Sequence, residues 1–236
     1  MQLPKGILFD LDDTIIAFDA VAEPVWERVC RSYAPCIAGC DPSELYDAIR
    51  HARRWYWSDE ERHEWGRLHL VQARREIVRH AFDHLALDRL DLADEMADTF
   101  TSVRFEAAHV FPGALDTLQE LKRRGVRLAM ITNGASDVQW EKIKRFELEP
   151  YFEAILVEGD LGFGKPDPRV YRCALDALGL EPSEAWMVGD NLHWDVAAPQ
   201  RLGIYSIWND HRKQGLPKDS PVVPDRVIHA ISELIQ

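Results

Sequence analysis

The residues of this chain that can do chemistry fall in groups far apart in sequence: Asp10 with Asp12, Thr132 with Asn133, Lys165, and Asp190 with Asp195. Asp10 and Asp12 follow the short apolar run Ile7-Leu8-Phe9, so a buried strand would deliver two acids side by side, at a like-charge cost. A bound divalent cation is the simplest compensation. With Asp190 added, three carboxylates suit a hard, oxygen-preferring ion such as magnesium, which uses one or two carboxylates, waters and substrate phosphate. The Thr132 hydroxyl, the N–H groups of Asn133 and Gly134 and the helix start behind them suit an anion. Lys165 adds a compact positive charge. A metal, anion donors and a carboxylate aimed between them are equipment for phosphoryl transfer.

These groups meet only if several strands end at one edge. Apolar runs at residues 5–10, 126–131, 154–157, 185–188 and 204–208 read as strands. Helical patterns at 114–124, 136–146, 168–179 and 194–202 alternate with them, and a last helix is expected at about 225–235. Such alternation predicts an α/β fold with a doubly wound parallel sheet, whose ligands sit beyond the carboxyl ends of the strands. Thr14 to Asp19 reads as a loop or short turn leaving that edge.

Residues 20–108 read differently. Trp26, Val29, Cys30 and Tyr33 form one helical stripe, and Asp41-Pro42-Ser43 reads as a helix start. Helices are expected at about 42–57, 60–85 and 90–108, with no strand between them. The division is a core at 1–19 and 109–236 with a helical-bundle insert at 20–108. Trp55, Tyr56, Trp57 and Trp65, with His63 and His69, either pack that bundle or line a substrate pocket. Arg53, Arg54 and Arg67 read as a solvated face.

The chain of 236 residues carries a net charge of −12, against a nucleic-acid partner, which needs a basic face. The N-terminus runs straight into a strand, and no apolar run nears a membrane span, so a cytoplasmic protein is expected, with a monomer preferred to a dimer. Cys30, Cys36, Cys40 and Cys173 form no CxxC pair, and free thiols are preferred to a zinc site at Cys36, Cys40 and His51. A calcium loop starting at Asp10 fails, with Ile15 where glycine is needed and Val21 where glutamate is needed. Gly159 to Lys165 has the spacing of a nucleotide-binding loop, but Pro166 stands where its magnesium-binding hydroxyl belongs.

Four motifs stand in order along the chain. They are Asp10-Leu11-Asp12-Asp13-Thr14 (DxDx[TV]), Thr132-Asn133, Lys165 before Pro166-Asp167-Pro168, and Gly189-Asp190 through Asp195 (GDxxxxD). In these the sequence resembles the haloacid dehalogenase-like hydrolase superfamily, in the branch with a helical cap inserted after the first strand. The resemblance implies a Rossmann-like core and the following roles. Asp10 attacks phosphorus to form an aspartyl-phosphate. Asp12 protonates the leaving oxygen and then activates water. Mg2+ is held by Asp10, the backbone carbonyl of Asp12 and Asp190, with Asp195 supporting the metal waters or Lys165. Thr132, Asn133 and Lys165 bind the transferring phosphoryl group. Asp13 reads as a local hydrogen-bonding or surface residue.

The expectation is a magnesium-dependent phosphatase for small phosphate monoesters such as a sugar phosphate, a nucleoside monophosphate or phosphoglycolate. A dehalogenase needs neither Asp12 nor the Asp190/Asp195 pair. A phosphosugar mutase keeps the same motifs. A non-catalytic phosphometabolite-binding protein would need neither nucleophile nor acid.

Overall fold

The computed structural model describes residues 3–37 and 39–236, which divide into two compact units. One is Phe18–Ala108; the other joins the chain up to Ala17 with His109–Gln236.

Phe18–Ala108 is helical. Its elements are α1 (Ala22–Tyr33), α2 (Pro42–Trp57), α3 (Glu60–Leu68), α4 (Leu70–His84) and α5 (Leu90–Ala107). In α1, Val25, Trp26, Val29, Cys30 and Tyr33 form the buried stripe, and Trp26 stacks on Phe100 of α5 with ring centroids 3.7 Å apart. Asp41 caps α2 by accepting the Ser43 N–H at 2.8 Å, and Pro42 opens the helix without losing a bond, since first-turn N–H groups have no helical partner. The single helix expected over 60–85 is two, broken at His69 (φ −132°, ψ 52°). The buried face of α4 is Ala73, Ile77, Val78, Ala81 and Phe82; Val71 is exposed. Tyr56 belongs to the core, Trp55 stacks on His80 at 3.8 Å, and exposed Trp65 stacks on His69 at 4.3 Å.

The other unit is built on strands β1 (Gly6–Phe9), β2 (Ile16–Ala17), β3 (His109–Val110), β4 (Arg127–Thr132), β5 (Ala154–Val157), β6 (Ala185–Gly189), β7 (Tyr205–Asn209) and β8 (Arg226–Ile228). Six form one parallel sheet in the order β5-β4-β1-β6-β7-β8. Its helices are α6 (Ala114–Arg123), α7 (Ser136–Arg145), α8 (Glu158–Leu161), α9 (Pro168–Leu178) and α10 (Ala198–Gln200). β1 lies in the middle, and Ile7, Leu8 and Phe9 have no exposed surface, as a strand covered on both faces requires. Leu8, Ala129, Ile131 and Met187 share one core cluster with Val170, Tyr171, Ala174 and Leu175 of α9. Asp167 caps α9, accepting the Arg169 N–H at 2.9 Å, and Gly179, at φ 58°, ends it.

Three segments differ from the sequence reading. Residues 14–19 contain β2, which pairs antiparallel with β3, Ile16 opposite Val110. The helix expected over 194–202 is a π-helical turn, Leu192–Ala197, followed by α10. The helix expected at 225–235 is β8 and then a 3₁₀ turn, Ile231–Ile235. Ile228, Ile231 and Leu234 are buried at a spacing of three, which a 3₁₀ turn satisfies as well as an α-helix does. No helix among the described residues is long and apolar enough to cross a membrane.

Candidate active site

β1 pairs Phe9 with Met130 on one side and Val188 on the other, so the next residue emerges between the ends of β4 and β6. That residue is Asp10, whose N–H still donates to the Val188 carbonyl at 2.9 Å. Its carboxylate is fixed from two sides. Lys165 Nζ donates to Oδ1 at 2.6 Å and Thr14 Oγ1 to Oδ2 at 3.0 Å. Lys165, 1% exposed, also donates to Asp195 Oδ1 at 2.7 Å. Asp195 Oδ2 in turn accepts the Asn191 N–H at 3.0 Å. One buried ammonium, 155 positions from Asp10 and 30 from Asp195, thus joins the strand-one acid to the last acid of the fourth motif.

Burial pushes the Asp10 carboxyl up; Lys165 pulls it back, Asp195 and Asp12 oppose Lys165, and the result is about 7. Burial also raises Asp190 well above the usual carboxylate range, with Asp10, Asp195 and Asp13 adding to it. Burial acts on Lys165 in the downward direction, but the charges of Asp10 and Asp195 prevail and hold it above its ordinary value. The cluster has more acid than one ammonium can balance.

Asp190 leaves the end of β6. Oxygens of Asp10, Asp190 and Asp195 lie within 4.8 Å of one another. This all-oxygen donor set, with two of its acids held above the usual range by burial and by the neighbouring carboxylates, fits a hard divalent cation. Gly189 makes the turn possible, because a Cβ there would run into the Asp195 carboxyl group. The Asp190 carbonyl accepts the Trp208 indole N–H at 2.7 Å, which ties β7 to the same edge.

The Asp12 carboxylate is not part of that cluster. Lys142 Nζ donates to its Oδ1 at 2.8 Å and its Oδ2 at 2.6 Å, and Gln139 Nε2 donates to Oδ2 at 3.1 Å. Gln139 Nε2 also donates to the Thr132 hydroxyl at the end of β4. Gln139 and Lys142 lie three apart on α7, so they share a face. The sequence reading passed over both, because polar residues on an amphipathic helix ordinarily mark the solvated side. Only their distance from the end of β4 would have pointed to them.

Thr132 and Asn133 sit at the same edge, but Asn133 is engaged elsewhere. Its side chain accepts the Lys165 N–H at 2.8 Å and donates to the Lys165 carbonyl at 2.6 Å. The Gly134 N–H, read as an anion donor, instead donates to Glu158 at 2.9 Å. In this structure the Asn133 side chain clasps the lysine loop. Asp13 is no surface residue either. It is buried at φ 57°, and its carboxylate meets Arg212 at 3.0 Å and His211 at 3.5 Å. No cluster of metal-ligating groups found among the described residues includes Cys36 or Cys40; both are free thiols.

Comparison with known proteins adds four observations. A model of the haloacid dehalogenase-like hydrolases matches residues 4–203. A phosphoserine phosphatase of Thermus thermophilus is 32% identical over 98% of this chain and 97% of its own length. A glyceraldehyde 3-phosphate phosphatase of Pyrococcus furiosus is 29% identical over 100% of this chain and 93% of its own. Among solved structures, the magnesium-bound putative hydrolase YfnB of Bacillus subtilis superposes with a TM-score of 0.74, at 20% identity, covering 99% of this chain and 97% of that one.

Proposed function

The chain belongs to the haloacid dehalogenase-like hydrolase family, and from that membership we propose a magnesium-dependent phosphatase that hydrolyses small phosphate monoesters through an aspartyl-phosphate on Asp10. The observation that carries the reading is the Lys165 ammonium seated between Asp10 and Asp195, beside the Asp190 carboxylate.

Asp10 and Asp190 would hold the cation through carboxylate oxygens and Asp12 through its backbone carbonyl. Such an ion supplies positive charge for the phosphoryl oxygens and relieves the repulsion among the acids. An Asp10 oxygen forms a bond to phosphorus while the ester P–O bond breaks. The electron pair goes to the leaving oxygen, which takes a proton from Asp12. In the second half, a water gives its proton back to Asp12 and attacks phosphorus. The bond between phosphorus and Asp10 breaks, and inorganic phosphate leaves. Lys165 and Thr132 offset the charge on the transferring group. Asp195 keeps Lys165 aimed at Asp10, and Asn133 fixes the backbone of Lys165. Phe18–Ala108 takes the place of the helical insert that the resemblance implies.

The test is phosphate release from a panel of monoesters with Mg2+ and with EDTA. Phosphoserine and glyceraldehyde 3-phosphate come first, because relatives carry those names. Mg2+-dependent release that disappears in Asp10→Asn, with an unchanged circular dichroism spectrum, is the expected result. Hydrolysis by that variant at the wild-type rate would remove Asp10 as the nucleophile.

A further inference from the structure

Asp10 and Asp12 are two positions apart and chemically alike, yet the proposed reaction needs one as nucleophile and the other as proton carrier. Their side chains are held by different cations. Lys165 holds Asp10, together with Asp195. Lys142, 1% exposed, meets both oxygens of Asp12. A buried ammonium is costly to desolvate, and one that meets both oxygens of a carboxylate fixes the plane of that group as well as its position. Gln139 supplies a third donor to Asp12 and is bonded to the Thr132 hydroxyl through the same nitrogen.

From this we propose that Lys142 and Gln139 are positioning residues for the acid/base, holding the Asp12 carboxyl group at a fixed distance from the phosphoryl-binding hydroxyl. The inference rests on the phosphatase reading and adds to it a named support on α7. Lys142 keeps Asp12 from turning toward Lys165 or the cation seat, so the two aspartates stay sorted into their separate roles. Gln139 couples where the phosphoryl group is bound to where the proton is delivered. Neither residue touches the substrate; both act through Asp12, and Gln139 also through Thr132.

Two aryl esters that differ by one para nitro group separate this role from a structural one. Phenyl phosphate releases a basic phenolate, which needs a proton as it departs. p-Nitrophenyl phosphate releases a stabilised anion, which does not. In kcat/KM, which runs through departure of the leaving group, Lys142→Met is expected to lose about tenfold more on phenyl phosphate than on p-nitrophenyl phosphate, since a placed general acid contributes roughly 10²–10⁴-fold. Gln139→Leu moves the same ratio in the same direction and also raises KM for both esters, through Thr132. In an Asp12→Asn background, adding Lys142→Met leaves the ratio within about twofold, because the group it positions is already gone. Equal losses on both esters in both single variants, or a further change of ratio in the double variant, overturn the inference while the phosphatase reading stands. A wild-type protein that hydrolyses neither ester nor any member of the panel overturns the phosphatase reading, and this one with it.

Discussion

At the scale of single residues, partners rather than residue types decide what each acid does. Asp10, 7% exposed, has Lys165 on one oxygen and Thr14 on the other. Asp195 is fully buried and serves Lys165. Asp12 is held from α7. Removing the shared cation should therefore be worse than removing any one acid. Lys165→Met leaves Asp10 and Asp195 buried without their counter-charge, and breaking a buried pair in this way costs roughly 3–5 kcal/mol. Urea denaturation of the metal-free protein is expected to give a loss of that order, with turnover abolished. A loss below about 1 kcal/mol would mean that solvent already screens the pair, as it does for exposed ion pairs.

At the scale of elements, the strand ends and the helix behind them were legible in the sequence, and the two side chains that this helix brings to the site were not. Ile7 to Phe9 ending in acids, and Ala185 to Gly189 ending in Asp190, are abrupt switches from apolar to charged, which only a buried strand arriving at a polar edge produces. Gln139 and Lys142 break no such pattern, since a buried polar residue on an amphipathic helix looks like one on its wet face. The C-terminal segment misled for another reason: Ile228, Ile231 and Leu234 repeat every three positions, although one ends a strand and two line a 3₁₀ turn. Two substitutions test the element-level packing. Gly189→Ala would press a methyl group into the Asp195 carboxyl, so a loss of about 1–3 kcal/mol is expected by thermal melting, together with loss of turnover. In the helical unit, Arg74 of α4 is 6% exposed, donates to Thr101 Oγ1 at 3.0 Å, and leaves Nη2 without a hydrogen-bond partner. Burial pulls its pKa down to about 10. Arg74→Met, which keeps the stem and removes the poorly satisfied charge, is expected to leave stability unchanged or raise it by up to about 2 kcal/mol. A loss above that size in urea would show that Arg74 has a partner worth more than its desolvation.

At the scale of the whole molecule, the acids away from the point where β1 and β6 end behave differently from Asp10, Asp190 and Asp195, which cluster there. The chain carries 40 acidic side chains against 28 lysines and arginines, a net charge of −12. Most acids away from that edge are exposed and several are held low, as Arg123 and Arg124 hold Glu120 at about 2. The edge behaves in the opposite sense, with Asp10 raised to about 7 and Asp190 raised with it. In the metal-free protein the native state therefore holds protons there, between the ordinary value of 3.8 and about 7, that the unfolded chain has released. More protons bound in the native state means that this edge's contribution to stability is present at low pH and lost as pH rises through about 7. Lys165 stays charged across that window, because its own shift is upward. A divalent cation held as proposed would bind the ionised carboxylates, compete with those protons and restore what high pH removes. The melting temperature of the metal-free protein alone mixes this edge with every surface acid, but the increment on adding Mg2+ isolates it. That increment is expected to be clearly larger at about pH 8 than at about pH 5.5, reaching roughly 2.7 kcal/mol when the ion is at a hundred times its Kd. Asp190→Asn should remove most of the increment at both pH values. An increment independent of pH, or larger at pH 5.5, would place the ion away from Asp10 and Asp190.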